Sequence, residues 1–218
     1  MSFTPHVPAP ATEARPKWLG LAAVGVVVIS VFLIVAGLTT PLSIVFVARN
    51  PFASLPGMSP EMAKVFAAQQ KMMAFPAGPV SLLVGSAGLA AGVWGLVSAI
   101  KVLSRRSEAR TPFRRSILAL MLAESVSIVV SVWLQTRNAE LMGEFAKAMV
   151  PPGASSPHPF ETLMTRFLHA GAVLGIVLTL AWGAVKIAFL AWAHRYAGTP
   201  SVIDHLDRGV SAARQVER

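Results

Sequence analysis

The sequence predicts an all-α integral membrane protein: an antiparallel four-transmembrane-helix bundle with two amphipathic outer-loop helices. Three observations predict this class: the composition, four long apolar segments and the placement of basic residues around them. Hydrophobic residues make up 54% of the 218-residue chain and charged residues only 13%, and the mean hydropathy is +0.61. A typical soluble domain has about 25% charged residues, so this chain has too little charge for a water-exposed surface.

Each of the four apolar segments is close to or above the roughly 20 residues that cross a hydrocarbon core of about 30 Å. We predict the spans at about 18–40, 79–103, 113–135 and 167–193. They form one membrane domain, 17–195, between a disordered cytoplasmic tail, 1–16, and a cytoplasmic amphipathic tail, 196–218. The first span is too long for the core of a signal peptide and lacks a clear cleavage motif, which favours an uncleaved anchor.

The net charge of +9 is concentrated beside the predicted spans. Six basic residues crowd the short connection between the second and third spans: Lys101, Arg105, Arg106, Arg110, Arg114 and Arg115. Cytoplasmic loops carry such an excess of Lys and Arg, so we predict that both termini are cytoplasmic. Because membrane-flanking residues account for the basic charge, we do not expect a nucleic-acid partner. The composition is compatible with a bacterial inner membrane.

The two outer loops are each predicted to contain a helix. In the first loop, Ser59 is a favourable N-cap and Pro60 a favourable first residue for an amphipathic helix. The second loop helix is predicted at Asn138 to Val150. We also expect Pro41 to kink or end the first transmembrane helix, because proline removes a backbone hydrogen bond.

The order of span, loop helix and return span occurs twice, which suggests an internal two-fold (2+2) repeat. Trp94-Gly95 in the first return span corresponds to Trp182-Gly183 in the second. Convergence under the same membrane constraints is an equally good interpretation of these few identities.

Small residues recur at helical spacing in three of the spans. The second span carries a helix-packing seam with steps of four and three: Ser81, Gly85, Gly88, Gly92, Gly95 and Ala99. Second small faces follow in the third and fourth spans: Ala119, Ala123, Ser127, Ser131, Gly171, Gly175, Thr179 and Gly183. Small side chains let helix backbones approach closely in a bilayer, where packing drives association. The seams therefore close the bundle internally, or one of them stays outside and binds a partner.

Two charged residues within the spans are the best candidates for a functional site. Glu124 lies nine residues after Arg115 and Lys186 nine before Arg195, which places both about 13 Å from the inner flank at 1.5 Å per residue. An unpaired charge at the bilayer centre costs about 2.5 to 3.5 kcal/mol on insertion scales. We weigh three interpretations: an ion pair that docks two helices, Glu124 as a proton or cation carrier, and a snorkelling Lys186 beside a protonated Glu124.

The sequence lacks the residues that several kinds of catalytic and metal-binding site require. The absence of cysteine excludes disulfides, thiol catalysis and thiolate metal sites. His158 stands alone in a loop, and His169 and His194 lie at opposite ends of one span, so neither a metal nor a haem site is predicted. No nucleotide-binding or hydrolase motif occurs. We predict no catalytic residue and no cofactor, although lipid or quinone binding between spans would leave no sequence pattern.

The sequence therefore favours a non-enzymatic structural or accessory subunit that packs against membrane lipids and against other membrane subunits or copies of itself. One alternative is a small proton- or cation-coupled transporter that uses Glu124. Another is a lipid- or quinone-binding accessory subunit of a membrane enzyme, which would require a cleft between spans.

Overall fold

The computed structural model of the chain describes residues 16, 18–49, 60–72, 76–104, 109–148 and 159–205. These residues form five α-helices: α1 (Leu19–Arg49), α2 (Pro60–Met72), α3 (Gly78–Leu103), α4 (Arg110–Ala148) and α5 (Pro159–Tyr196). There is no strand in the described part of the chain. All helices except α2 are long and apolar enough to cross a membrane, and they pack against each other. The prediction of an all-helical fold with four long apolar helices is therefore confirmed.

The four long helices pack as two closely associated pairs. The most extensive contact joins α1 to α3, the next joins α4 to α5, and the contact of α3 with α4 links the pairs. The short helix α2 lies against α4. The structure does not test a 2+2 duplication, which stays a prediction.

The apolar segments agree closely with the predicted spans, although the helices extend beyond them. The stretches suited to a membrane are Leu19–Phe46, Gly78–Leu103, Arg110–Leu141 and His169–Tyr196. The predicted tail at 1–16 lies outside the described residues except for Pro16. The other predicted tail, 196–218, is described as far as His205 and starts a short helical turn in which Val202 is buried.

The predicted second loop helix is a continuation of α4 and not a separate element. Helix α4 runs unbroken for 39 residues, because no proline and no run of turn-forming residues interrupts it after the apolar segment. Arg137 and Glu140, one turn apart, form an ion pair of 2.8 Å across this continuation. The first loop helix is separate, as predicted, because Pro60 begins α2 well after α1 has ended.

Helix α1 also continues through Pro41 to Arg49, so this proline does not end it. Hydroxyl groups near the proline donate to backbone carbonyl oxygens one turn earlier. Thr40 Oγ1 donates to Ala36 O at 2.8 Å, and Ser43 Oγ donates to Thr39 O at 3.1 Å. These hydroxyl groups thereby find acceptors on the backbone of their own helix, as serine and threonine do in apolar helices.

The buried core lies mainly near the start of α1 and α4 and near the end of α3 and α5. Its largest fully buried apolar side chains are Leu19, Val26, Val102, Phe113, Ile117, Leu120, Leu190 and Val202. The first residues of α1 also meet the last turn of α5, where Trp18 N donates to Tyr196 Oη at 3.4 Å. The remaining length of α4 and α5 is less buried, and the candidate site lies there.

Candidate functional site

A row of polar side chains follows one face of α4 where it packs against α5. Glu124, Ser127, Ser131 and Gln135 succeed one another at steps of three and four residues, which places them on one side of a helix. All four are buried or half-buried. The helix α5 contributes polar and small residues to the same contact: Gly175, Thr179, Gly183 and Lys186.

The two charged residues singled out from the sequence meet in this contact. Lys186 Nζ donates to Glu124 Oε2 at 2.5 Å, and the side chains of Lys186 and Glu124 are 16% and 2% exposed. Oppositely charged partners at this distance offset part of the desolvation cost of burying each charge. The pair therefore couples α4 to α5, whatever further chemistry it supports.

The second carboxylate oxygen of Glu124 is left without a partner. Glu124 Oε1 is buried and accepts no hydrogen bond. A buried charged oxygen without a donor is rare in proteins, because the loss of its hydration is not compensated. This oxygen is therefore a feature that the ion pair alone does not explain.

A pocket of about 380 Å³ lies beside the ion pair, between α4 and α5. Its polar lining consists of Glu124, Ser127, Ser131, Thr179 and Lys186. Leu178 and Trp182 also line it and are 59% and 55% exposed. The pocket therefore opens on the outer surface of the helix pair, next to apolar side chains.

Gln135 extends the polar contact beyond the pocket and was not among the residues predicted from the sequence. Gln135 Nε2 donates to Thr179 Oγ1 at 2.8 Å, while Gln135 Oε1 is buried without a partner. A Cβ built on Gly175 would lie 3.2 Å from Gln135 Oε1. The signal that could have found Gln135 is its step of four residues from Ser131.

The small-residue seam of α3 lies against α1. A Cβ on Gly92 would lie 2.8 Å from the carbonyl oxygen of Ser30, and one on Gly85 would lie 3.1 Å from Thr40 Oγ1. The members of the seam from Gly88 to Ala99 are buried, whereas Ser81 and Gly85 are half-buried. Most of the seam therefore packs against another helix inside the bundle.

The small faces of α4 and α5 are only partly covered. On α4, the four residues Ala119, Ala123, Ser127 and Ser131 are half-buried. On α5, Gly183 is buried against the side chain of Ile128, and Gly175 and Thr179 are half-buried near Gln135. Gly171 is exposed, and a Cβ there would meet nothing within 4 Å.

The outward face of α5 carries a further row of exposed apolar residues at heptad spacing. Its members follow steps of four and three residues: Ala170, Leu174, Val177, Ala181, Ala184 and Ala188. We call this row the α5 outer stripe. No helix in the described part of the chain covers it, because each of its residues is exposed.

The described ranges contain no cluster of residues that could bind a metal ion. No group of three or more histidine and acidic residues is placed to hold an ion there. His169 and His194 lie near the two ends of the apolar part of α5, and His158 falls outside the described residues.

The ion pair makes the pocket nearly neutral overall, and the hydroxyl groups that line the pocket make its inner side polar.

The chain matches no protein-family model, no curated protein and no solved structure in the comparisons made. The function is therefore inferred from the geometry of its own residues.

Proposed function

We propose that this chain is a four-span integral membrane protein that acts as a non-enzymatic structural or accessory subunit through helix–helix packing. The observation that carries the proposal is the uneven covering of the four apolar helices. In its most apolar window, α5 has only 11% of its residues buried, against 39% for α1. An apolar helix covered so little by its own chain needs lipid or another helix around it.

The contacts between helices support an antiparallel arrangement in the membrane. Between α1 and α3, Gly92 approaches Ser30 while Gly85 approaches Thr40, so higher numbers on one helix meet lower numbers on the other. Between α4 and α5, Lys186 meets Glu124, and Thr179 meets Gln135. This order is that of neighbouring helices that cross a bilayer in opposite directions.

The basic residues support a cytoplasmic location of one end of the bundle. Arg110, Arg114 and Arg115 lie at the start of α4, and a Cβ on Gly198 would lie 3.5 Å from Arg114 Cζ. The start of α1 meets the end of α5 through Trp18 and Tyr196. By the positive-inside rule, this end and both termini face the cytoplasm, in a bacterial inner membrane under our proposal.

The α5 outer stripe is the surface on which a partner would pack. It has the same heptad steps as the α3 seam, but α1 covers the α3 seam whereas no helix of the described chain covers the stripe. Four of its six residues are alanines, namely Ala170, Ala181, Ala184 and Ala188. Small side chains at this spacing permit close approach of a helix from another membrane subunit or from a second copy.

Native mass spectrometry of the protein extracted gently from its membrane tests this proposal. We expect a stoichiometric complex with other membrane proteins or with itself. The double substitution Ala181→Leu and Ala184→Leu should disrupt it, because larger side chains hold the partner helix away. The matched control is Ala87→Leu with Ala90→Leu, two exposed positions with the same spacing on α3. A wild-type protein that is recovered only as a lone monomer contradicts the proposal.

Proton or cation transport through Glu124 is the second candidate, favoured by its buried, unpartnered oxygen. A transporter needs polar groups on both sides of such a residue. The polar row of α4 extends from Glu124 toward Gln135, but in the other direction Leu120 and Ile117 are fully buried and apolar. This one-sided row favours the structural role. Proton or cation flux into vesicles that is lost on Glu124→Gln would reverse the preference.

A further inference from the structure

The structural role leaves the second oxygen of the Glu124 carboxylate unexplained. The residue is 1% exposed, and Oε2 is bound by Lys186, yet Oε1 has no donor. The ion pair between α4 and α5 uses only Oε2. A buried acceptor next to a pocket with hydroxyl groups points to a donor that occupies the pocket.

The charges of the site favour a neutral ligand. A cation at Oε1 would lie close to the ammonium group of Lys186, and an anion would lie close to the Glu124 carboxylate. A neutral hydroxyl group can donate to the carboxylate without either repulsion. It can also accept from, or donate to, the hydroxyl groups of Ser127 and Ser131 that line the same pocket.

The surroundings of the pocket favour a ligand that is soluble in lipid. The opening is flanked by the exposed apolar side chains of Leu178 and Trp182. A helix surface of this kind faces acyl chains when the protein lies in a bilayer. A molecule with a long apolar part could therefore place its head in the pocket and leave its tail among the lipids.

We propose that the pocket between α4 and α5 binds the hydroxyl head group of a neutral, lipid-soluble molecule. The hydroxyl donates to Glu124 Oε1, and Ser127 and Ser131 complete its hydrogen bonds. Quinols and diacylglycerols share this chemistry. The inference rests on the proposed membrane location of the chain, and it adds a ligand to that proposal.

The test is a binding titration by native mass spectrometry on the full chain in phosphatidylcholine nanodiscs. The probes are 1,2-dioctanoylglycerol and decylubiquinol, the latter kept reduced. The controls are the O-methyl ether of the diacylglycerol and the di-O-methyl ether of the quinol, which keep the oxygen acceptors and the apolar chains but have no hydroxyl donor. We expect the ether of the preferred probe to bind about tenfold more weakly, since a hydrogen bond to a charged group contributes about 1.5 kcal/mol or more. Binding of one probe alone identifies its class as the ligand, and binding of both identifies the hydroxyl group as the common determinant.

The matched variants separate the pocket from other hydroxyl groups of α4. Ser127→Ala with Ser131→Ala should weaken binding by about five- to tenfold. Ser125→Ala with Thr136→Ala should leave it unchanged, because both residues are exposed and donate to carbonyl oxygens of their own helix. Both double variants leave Glu124 and Lys186 themselves unchanged, so a difference in binding between them reports on the hydroxyl groups that line the pocket.

Equal binding of the probes and their ethers, or an unchanged affinity of the Ser127→Ala and Ser131→Ala protein, overturns the inference and leaves a pocket filled by water. Carbonate extraction of membranes is measured in parallel. A chain that is released by carbonate contradicts the proposed membrane function itself. A chain that stays in the membrane but binds neither probe contradicts only the ligand.

Discussion

The contact between α1 and α3 and the contact between α4 and α5 both use small residues at helical spacing, but they build different interfaces. In the first, Gly92 brings the α3 backbone so close to α1 that an added Cβ would lie 2.8 Å from the Ser30 carbonyl oxygen. In the second, the small residues of α5 face long side chains of α4. Gly183 receives Ile128, Gly175 lies beside Gln135, and Lys186 meets Glu124.

A row of small residues determines only how closely a second helix can approach. The side chains opposite the row decide whether the space is filled by backbone or by polar groups. Where α4 presents Glu124 and hydroxyl groups, a pocket of about 380 Å³ remains. The α1–α3 contact is therefore closed by the helix backbones, whereas the α4–α5 contact is joined by side chains and leaves space between them.

Breaking the ion pair of the α4–α5 contact should have the largest effect. Lys186→Met leaves the Glu124 carboxylate buried without its cation, and removal of one partner of a buried pair costs about 3 to 5 kcal/mol. The free energy of unfolding in mixed micelles, titrated with SDS, measures this loss. The double variant with Glu124→Gln should recover part of it. Equal stability of Lys186→Met and wild type would show that the pair does not hold the helices.

Crowding the α1–α3 contact should have an intermediate effect. In Gly92→Ala the new methyl group meets backbone atoms of α1, which have to shift, and overpacking of this kind costs about 1 to 3 kcal/mol. The same SDS titration measures it. The control is Gly20→Ala on α1, where a Cβ meets nothing within 4 Å and the better helix propensity of alanine adds up to about 1 kcal/mol of stability. A Gly92→Ala protein as stable as Gly20→Ala would contradict the close approach.

Removing the neutral hydrogen bond of the α4–α5 contact should have the smallest effect. Thr179→Val keeps the shape but deprives Gln135 Nε2 of its acceptor, and interhelical hydrogen bonds in membranes contribute about 0.6 to 1.7 kcal/mol. Thr39→Val is the matched control, because Thr39 is exposed and donates only to carbonyl oxygens of α1. A larger loss at Thr39 than at Thr179 in the same titration would count against this bond.

Much of the fold could be predicted because the lengths of the apolar segments and their composition are local properties. The depth of Glu124 and Lys186, counted from flanking arginines, also follows from helical rise alone, and the side chains are found in contact. The continuation of α4 past residue 138 was harder to predict, since polar residues after an apolar segment suit both a helix extension and a loop helix. Gln135 continues the steps of four after Ser131, but its interhelical role depends on Thr179 of α5, which only the packing of the two helices brings next to it.

The all-helical class, the four long apolar helices and the rows of small residues follow from the amino-acid sequence alone, because they depend on residue type and helical period. Which helix covers each row depends on how several faces share the available partners, and this is fixed only when the helices pack. Packing places α1 over the α3 seam, leaves the α5 outer stripe uncovered and opens a pocket beside Glu124. An unpartnered oxygen such as Glu124 Oε1 exists only after packing has fixed every neighbour.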